Sequence, residues 1–201
     1  MSDLYGNTKK LVTSVLKEDG FRADSLGEGL YKKIEDDISI TIQISGMWSH
    51  VESFVGIRFA QINDRLQMAA KNSGWKPIKV DMFKLNLLGL FREKVGDYCD
   101  SAESLGVYCP SYSTIANSKD ILKAVHDRIK KVEALAEIGA ALHYAQANNL
   151  ILPFGIYTIP AGAQITSDAR LWDWCAEHVS PHVPAPDRAD YERLLCSLKE
   201  Q

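Results

Sequence analysis

"ISITIQISGMWSHVESFVGIRF", residues 38–59, decides how this chain is read. Ile38, Ile40, Ile42 and Ile44 alternate with Ser39, Thr41, Gln43 and Ser45. A strand sends successive side chains to opposite faces, so this segment has one oily face and one polar face. Four β-branched residues on the oily side suit a pleated surface better than a helix. After "GMWSH" the alternation resumes at Val51, Ser53, Val55, Ile57 and Phe59. Two strands with so short a break between them predict an antiparallel hairpin.

Working outward, residues 3–19 predict a helix. Asp3 is its candidate cap, and Leu4, Thr8, Leu11, Val12, Val15 and Leu16 recur at helical spacing. Gly20 then stops it, because glycine tolerates the left-handed conformation of a helix end. "FRADSLGEGLYKKI" reads as a short extended piece, a turn, and a strand near 30–35. Asp36 and Asp37 turn the chain into the isoleucine strand. Beyond it, Asn63 is a candidate cap for a helix over 64–73 that "NSGW" ends. Residues 78–88 read as a further strand. Residues 92–117 carry many turn formers and read as a long loop, a length often given to function.

Residues 118–147 predict one long helix, capped by Ser118 and striped by Ile121, Leu122, Val125, Ile129, Val132, Leu135, Ala136 and Leu142. "ILPFGIYTIPAG", broken by Pro153 and Pro160, predicts an edge strand or wrapping loop. Ser167 or Asp168 opens a helix over 169–179. Pro181, Pro184 and Pro186 form a stiff linker, and a last helix covers 187–199. The strands are consecutive rather than interleaved with crossover helices. The expected class is therefore α+β: an antiparallel sheet of about four strands, packed by an N-terminal helix and a long central helix, with a helical C-terminal tail. The expected division is a core domain over 1–150 and an extension over 151–201 that adds a strand or loop and two short helices.

Composition narrows the function classes. The chain has 201 residues, 46% hydrophobic and 24% charged, with formal net charge −3. That charge argues against binding nucleic acid by bulk electrostatics, which needs clustered cations to displace counterions. Lys119 to Lys131 holds five basic residues, but Asp120, Asp127 and the helical spacing mark a solvated helix face. The opening "MSDLYGNTKK" has no apolar core behind a basic start, and no run nears the ~20 apolar residues that span a bilayer. A cytoplasmic protein without membrane contact is expected, with its four cysteines as free thiols.

Motifs that demand fixed spacing are missing. "LGEG" is a bare Gly-x-Gly with no third glycine and no helix directly behind it, so it reads as a turn. No phosphate loop, nucleophile elbow, zincin helix or EF-hand loop occurs, and no cofactor is expected. "CAEHVSPH" offers Cys175, His178 and His182 as candidate zinc ligands, with Cys196 as a fourth. The cluster stands alone without a second ligand arm, so the expected outcome is a buried Cys175, a His178 near the helix C-terminus where positive charge is favoured, and a His182 in a linker. Asp97, Asp100 and Glu103 are candidate acid/base groups only if a cleft shifts their pKa values. Cys99 or Cys109 with His50, His126 or His143 could form a nucleophile pair, but no local signature supports one. No residue is assigned a catalytic role.

The break in the quoted stretch carries Trp48 and His50. Tyr98, Tyr108 and Tyr112 of the long loop, with Asp100, could share a surface with them. Trp and Tyr supply large contact area at low entropy cost, so these six residues form a candidate surface for a protein partner. The order helix, strand meander, long helix over residues 3–147 resembles that of some toxin-immunity folds. The first expectation is therefore a non-enzymatic macromolecule-binding protein of bacterial or phage type, in the manner of immunity or inhibitor proteins. The second is a small enzyme or small-ligand binder with a pocket between the sheet and the 92–117 loop, using His50, Arg58 and the loop carboxylates. The third is a homo-oligomeric subunit assembled through 169–199.

Overall fold

The computed structural model describes residues 4–23, 29–47, 50–74, 93–95, 118–148 and 155–200. The chain is α+β and forms two units. The first comprises Met1–Ile57 and Arg92–Ala134, the second Arg58–Phe91 and Leu135–Gln201.

In the first unit, helix α1 covers Leu4–Glu18 and leads to strands β1 (Arg22–Ala23), β2 (Gly29–Glu35), β3 (Ile38–Met47) and β4 (His50–Phe59). Strand β5 (Glu93–Val95) lies within the segment read from sequence as loop. The five strands lie in chain order, β1-β2-β3-β4-β5. β3 ends at Met47 and β4 begins at His50. Parallel neighbours need a crossover of a dozen or more residues, so these two run antiparallel. The β2–β3 hairpin closes at Asp36–Asp37, as their turn chemistry predicts, with Lys33 opposite Ser39 and Glu35 opposite Ile38. That register leaves Ile34 as a bulge, and a bulged residue escapes the sheet's pattern, which accounts for its exposure.

The isoleucine alternation becomes burial. Ile40, Ile42 and Ile44 are buried, and on β4 so are Val55, Ile57 and Phe59. Helix α3 (Ser118–Glu133) and α1 pack on each other and on β3. α1 contributes Thr8, Val12 and Leu16, one side chain per turn, and α3 contributes Val125, Ile129 and Val132. The end of α1 is a Schellman motif. The amide of Phe21 bonds the carbonyl of Leu16 at 2.9 Å, and that of Gly20 bonds Lys17 at 3.1 Å, with Gly20 at φ +90°. Phe21 and Leu16 are both buried, which supplies the apolar contact this motif favours.

The second unit is helical: α2 (Ala60–Ser73), α4 (Ile138–Ala147), α5 (Gly155–Ile165), α6 (Ala169–Trp174) and α7 (Arg188–Lys199). A π-helical turn, Cys175–Val179, and two 3₁₀ turns, Ser180–His182 and Ala185–Asp187, connect α6 to α7. α5 is central and packs against α2, α4, α6 and α7.

Three expectations change here. The long central helix is two helices, α3 and α4, interrupted at residues 134–137. The break falls where the chain passes from the first unit to the second. α3 buries Val125, Ile129 and Val132, whereas α4 buries Ala141, Leu142 and Ala145. At about 100° per residue those two stripes would lie roughly half a turn apart on one straight rod. Breaking the rod lets each stripe face its own core.

The second change is α5, a helix where Pro153 and Pro160 predicted an edge strand or loop. Pro160 sits inside it. Its residues are buried nearly all round, so no amphipathic period exists to be read. The third is Asn63, which caps nothing: α2 begins at Ala60 straight from β4, and Asn63 is buried within the helix. The proposed strand over 78–88 lies outside the described residues.

Candidate functional site

A cavity of about 210 Å³ opens in the first unit between α1 and the inner face of β1–β3. Its position follows from helix geometry. The stripe Thr8, Val12 and Leu16 points into the core. One position further along lies the stripe Lys9, Thr13 and Lys17, which stands beside that core rather than in it and forms one wall. The sheet supplies the floor. Ala23 pairs with Leu30 and Leu30 with Ile42, which places all three on one face in one row. Ile44, two residues along β3, extends the same face, and Gly29 completes the lining.

The floor is aliphatic: Leu30, Ile42 and Ile44 are each at most 7% exposed. The rim is cationic. Lys9 and Lys17 stand eight residues apart, about 12 Å along the helix axis, with the Thr13 hydroxyl between them. The Lys9 ammonium donates to the Tyr5 hydroxyl at 3.2 Å and lies 5.6 Å from the centre of that ring. Lys17 has no side-chain partner among the described residues. No carboxylate, imidazole or thiol lines the cavity among those residues. The arrangement can solvate an anion and shelter an apolar body.

Elsewhere in this unit, His126 on α3 meets Asp19 just past α1, with Nε2 3.0 Å from Oδ2. The pair ties two helices at the surface. On the inner face Lys32 lies opposite Ile40, and its ammonium sits 5.6 Å from the centre of the Phe21 ring.

The candidate zinc ligands of the second unit point apart. Cys175 is buried, and burial pushes its thiol up to about 12. His178 is exposed and stacks on Trp174, with ring centres 5.4 Å apart and planes 12° from parallel. Its Nδ1 lies 3.3 Å from the Trp174 carbonyl, which can only accept, so Nδ1 carries the proton. His182 is exposed on the first 3₁₀ turn and Cys196 is exposed on α7. The π turn that carries the motif accounts for the divergence, since its wider winding abandons the i, i+3 alignment expected of an α-helix. Among the described residues no group of three His, Cys, Asp or Glu gathers anywhere. His143 lies 3.6 Å from Asp168, whose carboxylate is already the cap of α6, accepting from the amides of Arg170 and Leu171.

Trp48, Tyr98, Asp100, Tyr108 and Tyr112 lie outside the described residues, as do Asp97, Cys99, Glu103 and Cys109. His50 opens β4, but its side chain is likewise outside them. Arg58 is half-buried near the end of β4. Sequence reasoning misses the groove residues because they match no motif of fixed spacing. The available signal was Lys9, Thr13 and Lys17 at i, i+4 and i+8, beside a buried stripe in the same helix. Among the described residues no helix is long and apolar enough to cross a membrane. Compared with protein families, with curated proteins and with solved structures, the chain matches none of them.

Proposed function

We propose that this protein is a non-catalytic binding protein that takes up a small ligand with an apolar body in the groove between α1 and β1–β3. The observation that carries this reading is the cavity of about 210 Å³ floored by Leu30, Ile42 and Ile44. Binding sites of this kind are concave and mostly apolar, with a few polar groups that fix orientation. The volume lies below that of drug-sized sites, so the ligand is small. Among the described residues the lining offers two ammonium groups and a hydroxyl but no carboxylate, imidazole or thiol, a set that suits binding.

Of the three expectations raised by the sequence, this is the small-ligand one, moved from the 92–117 loop to the first helix. A large apolar face on 169–199 would favour the oligomer reading. There Leu171, Cys175, Val179, Val183, Tyr191, Leu194 and Leu198 are already buried.

Methyl NMR of the full chain with a panel of small aliphatic acids, alcohols and amines tests the reading. The methyl signals of Leu30, Ile42 and Ile44 shift on binding. Thr13→Trp, which projects an indole into the groove from its wall, abolishes the shifts while the thermal midpoint stays near that of the parent. A panel in which no member moves these three methyl groups sinks the proposal.

A further inference from the structure

We infer that the groove takes a medium-chain aliphatic carboxylate, with its head on Lys17 and its chain lying along Leu30, Ile42 and Ile44. The inference rests on the groove reading above and adds the ligand's class, size and orientation.

Size comes from volume. A dry apolar cavity of about 150 Å³ holds benzene, with six carbons. By that measure the roughly 210 Å³ here holds about eight carbon-sized atoms. Shape comes from the lining: the wall is a helix stripe and the floor is a row of aliphatic residues running on to Ile44, a layout that suits an extended chain.

Charge comes from the rim. Both lining ions are ammonium groups, and no carboxylate among the described residues opposes them. The two lysines are not equivalent. Lys9 already donates to Tyr5 and lies beside its ring, whereas the Lys17 ammonium has no partner among the described residues. The ammonium without a described partner is the one that gains most from a new acceptor, so Lys17 is the anchor.

The charge of the head follows from where Lys17 sits. It lies in the last turn of α1, where the helix dipole places negative partial charge. A dianion such as a phosphate monoester meets about twice the repulsion from those carbonyls that a monoanion meets, and only one of the two ammonium groups lacks a described partner to offset it. A carboxylate carries one charge, and one lysine matches it.

Isothermal titration of the full chain with straight-chain acids of four to twelve carbons, and with octanol, tests the assignment. Affinity rises up to about fourfold per methylene, the value of one buried CH₂, and levels off near eight carbons. Octanoate binds at least several-fold more tightly than octanol. Lys17→Gln brings octanoate down to octanol's affinity and costs octanoate more than Lys9→Gln does. Equal affinity for octanoate and octanol, or an equal loss in Lys9→Gln and Lys17→Gln, overturns the carboxylate and its orientation. If octanol still shifts the Leu30, Ile42 and Ile44 methyl signals in that case, the groove stands and only its ligand class falls. If neither compound moves them, both readings fall together.

Discussion

The hydroxyl of Tyr191 on α7 donates to the carbonyl of Ile156 on α5 at 2.8 Å, and that carbonyl is the one Pro160 leaves without a helical donor. In a helix the amide of residue 160 would bond the carbonyl of residue 156, but proline has no amide hydrogen. A buried carbonyl without a partner costs about 1–3 kcal/mol. Tyr191 fills the gap, and its ring meets Tyr157 edge-on with centres 6.1 Å apart. The helix that proline argued against is supported by a residue far along the chain.

Tyr191→Phe should therefore destabilise the protein by about 1–3 kcal/mol, because it strands the Ile156 carbonyl. Pro160→Ala restores a helical donor to the same carbonyl. In that background Tyr191→Phe should cost clearly less, with a coupling of about 1 kcal/mol in a urea double-mutant cycle. Simple additivity of the two substitutions would show that the hydroxyl does not serve that carbonyl.

Ser167 holds φ +53° between α5 and α6, the one described non-glycine residue with positive φ. Its amide bonds the Gln164 carbonyl at 3.1 Å and that of Asp168 bonds Ala163 at 3.1 Å, so a serine occupies the position glycine prefers. Ser167→Gly should raise the urea midpoint by the equivalent of about 0.5–1 kcal/mol, the strain relieved less the extra freedom of the unfolded chain. Asp168→Ala should lower it by about 0.5–2 kcal/mol, since it removes the cap of α6. A destabilised Ser167→Gly variant would contradict the left-handed assignment.

Cys175 and Cys196 should differ sharply in reactivity. Only the thiolate attacks an alkylating agent, and burial holds the Cys175 thiol at about 12 while Cys196 is exposed. At pH 8, peptide mapping after iodoacetamide should find Cys196 modified and Cys175 protected, until denaturant exposes both. Rapid labelling of Cys175 in the native protein would place it at the surface.

Alkali should unfold the helical unit. Burial raises Cys175, Tyr191 and Tyr157 above their ordinary values, with Asp187 adding to the effect on Tyr157. Each is neutral when protonated, so between the unfolded and folded values the unfolded chain has lost the proton and the native state has kept it. Stability is complete below about pH 9, where the unfolded thiol begins to titrate, and falls as pH rises toward the folded values. Chemical denaturation at pH 8 and pH 10.5 should show the drop, and Tyr157→Phe should flatten it. A curve that rises over this range would reverse the burial argument.

Much of the fold was legible because its signals are local. Ile40, Ile42 and Ile44 advertise a buried face by alternation alone, and Gly20 marks a helix end through its own backbone freedom. The split at residues 134–137 was written there too, in the half-turn offset between Val125, Ile129, Val132 and Ala141, Leu142, Ala145. It was hidden because alanine and leucine keep helix propensity high across the break. Helix α5 carried no such mark. With Thr158, Ile159, Ala161 and Ala163 all buried there is no period, and Gly162 comes so close to Leu142 that an added Cβ would lie 2.8 Å from its side chain.

Strands β2 to β4, the inward face of β3, the first helix and its stop were set by local sequence, since each depends on groups only a few residues apart. Tertiary structure alone decided that residues 155–165 are helical, that Asn63 lies inside rather than at the end of α2, and that Lys9 and Lys17 overlook an aliphatic floor. Those outcomes depend on partners brought together by packing: a tyrosine for a proline's orphaned carbonyl, and a sheet row beneath a helix stripe. Distance along the chain says nothing about such meetings until the core that enforces them has formed.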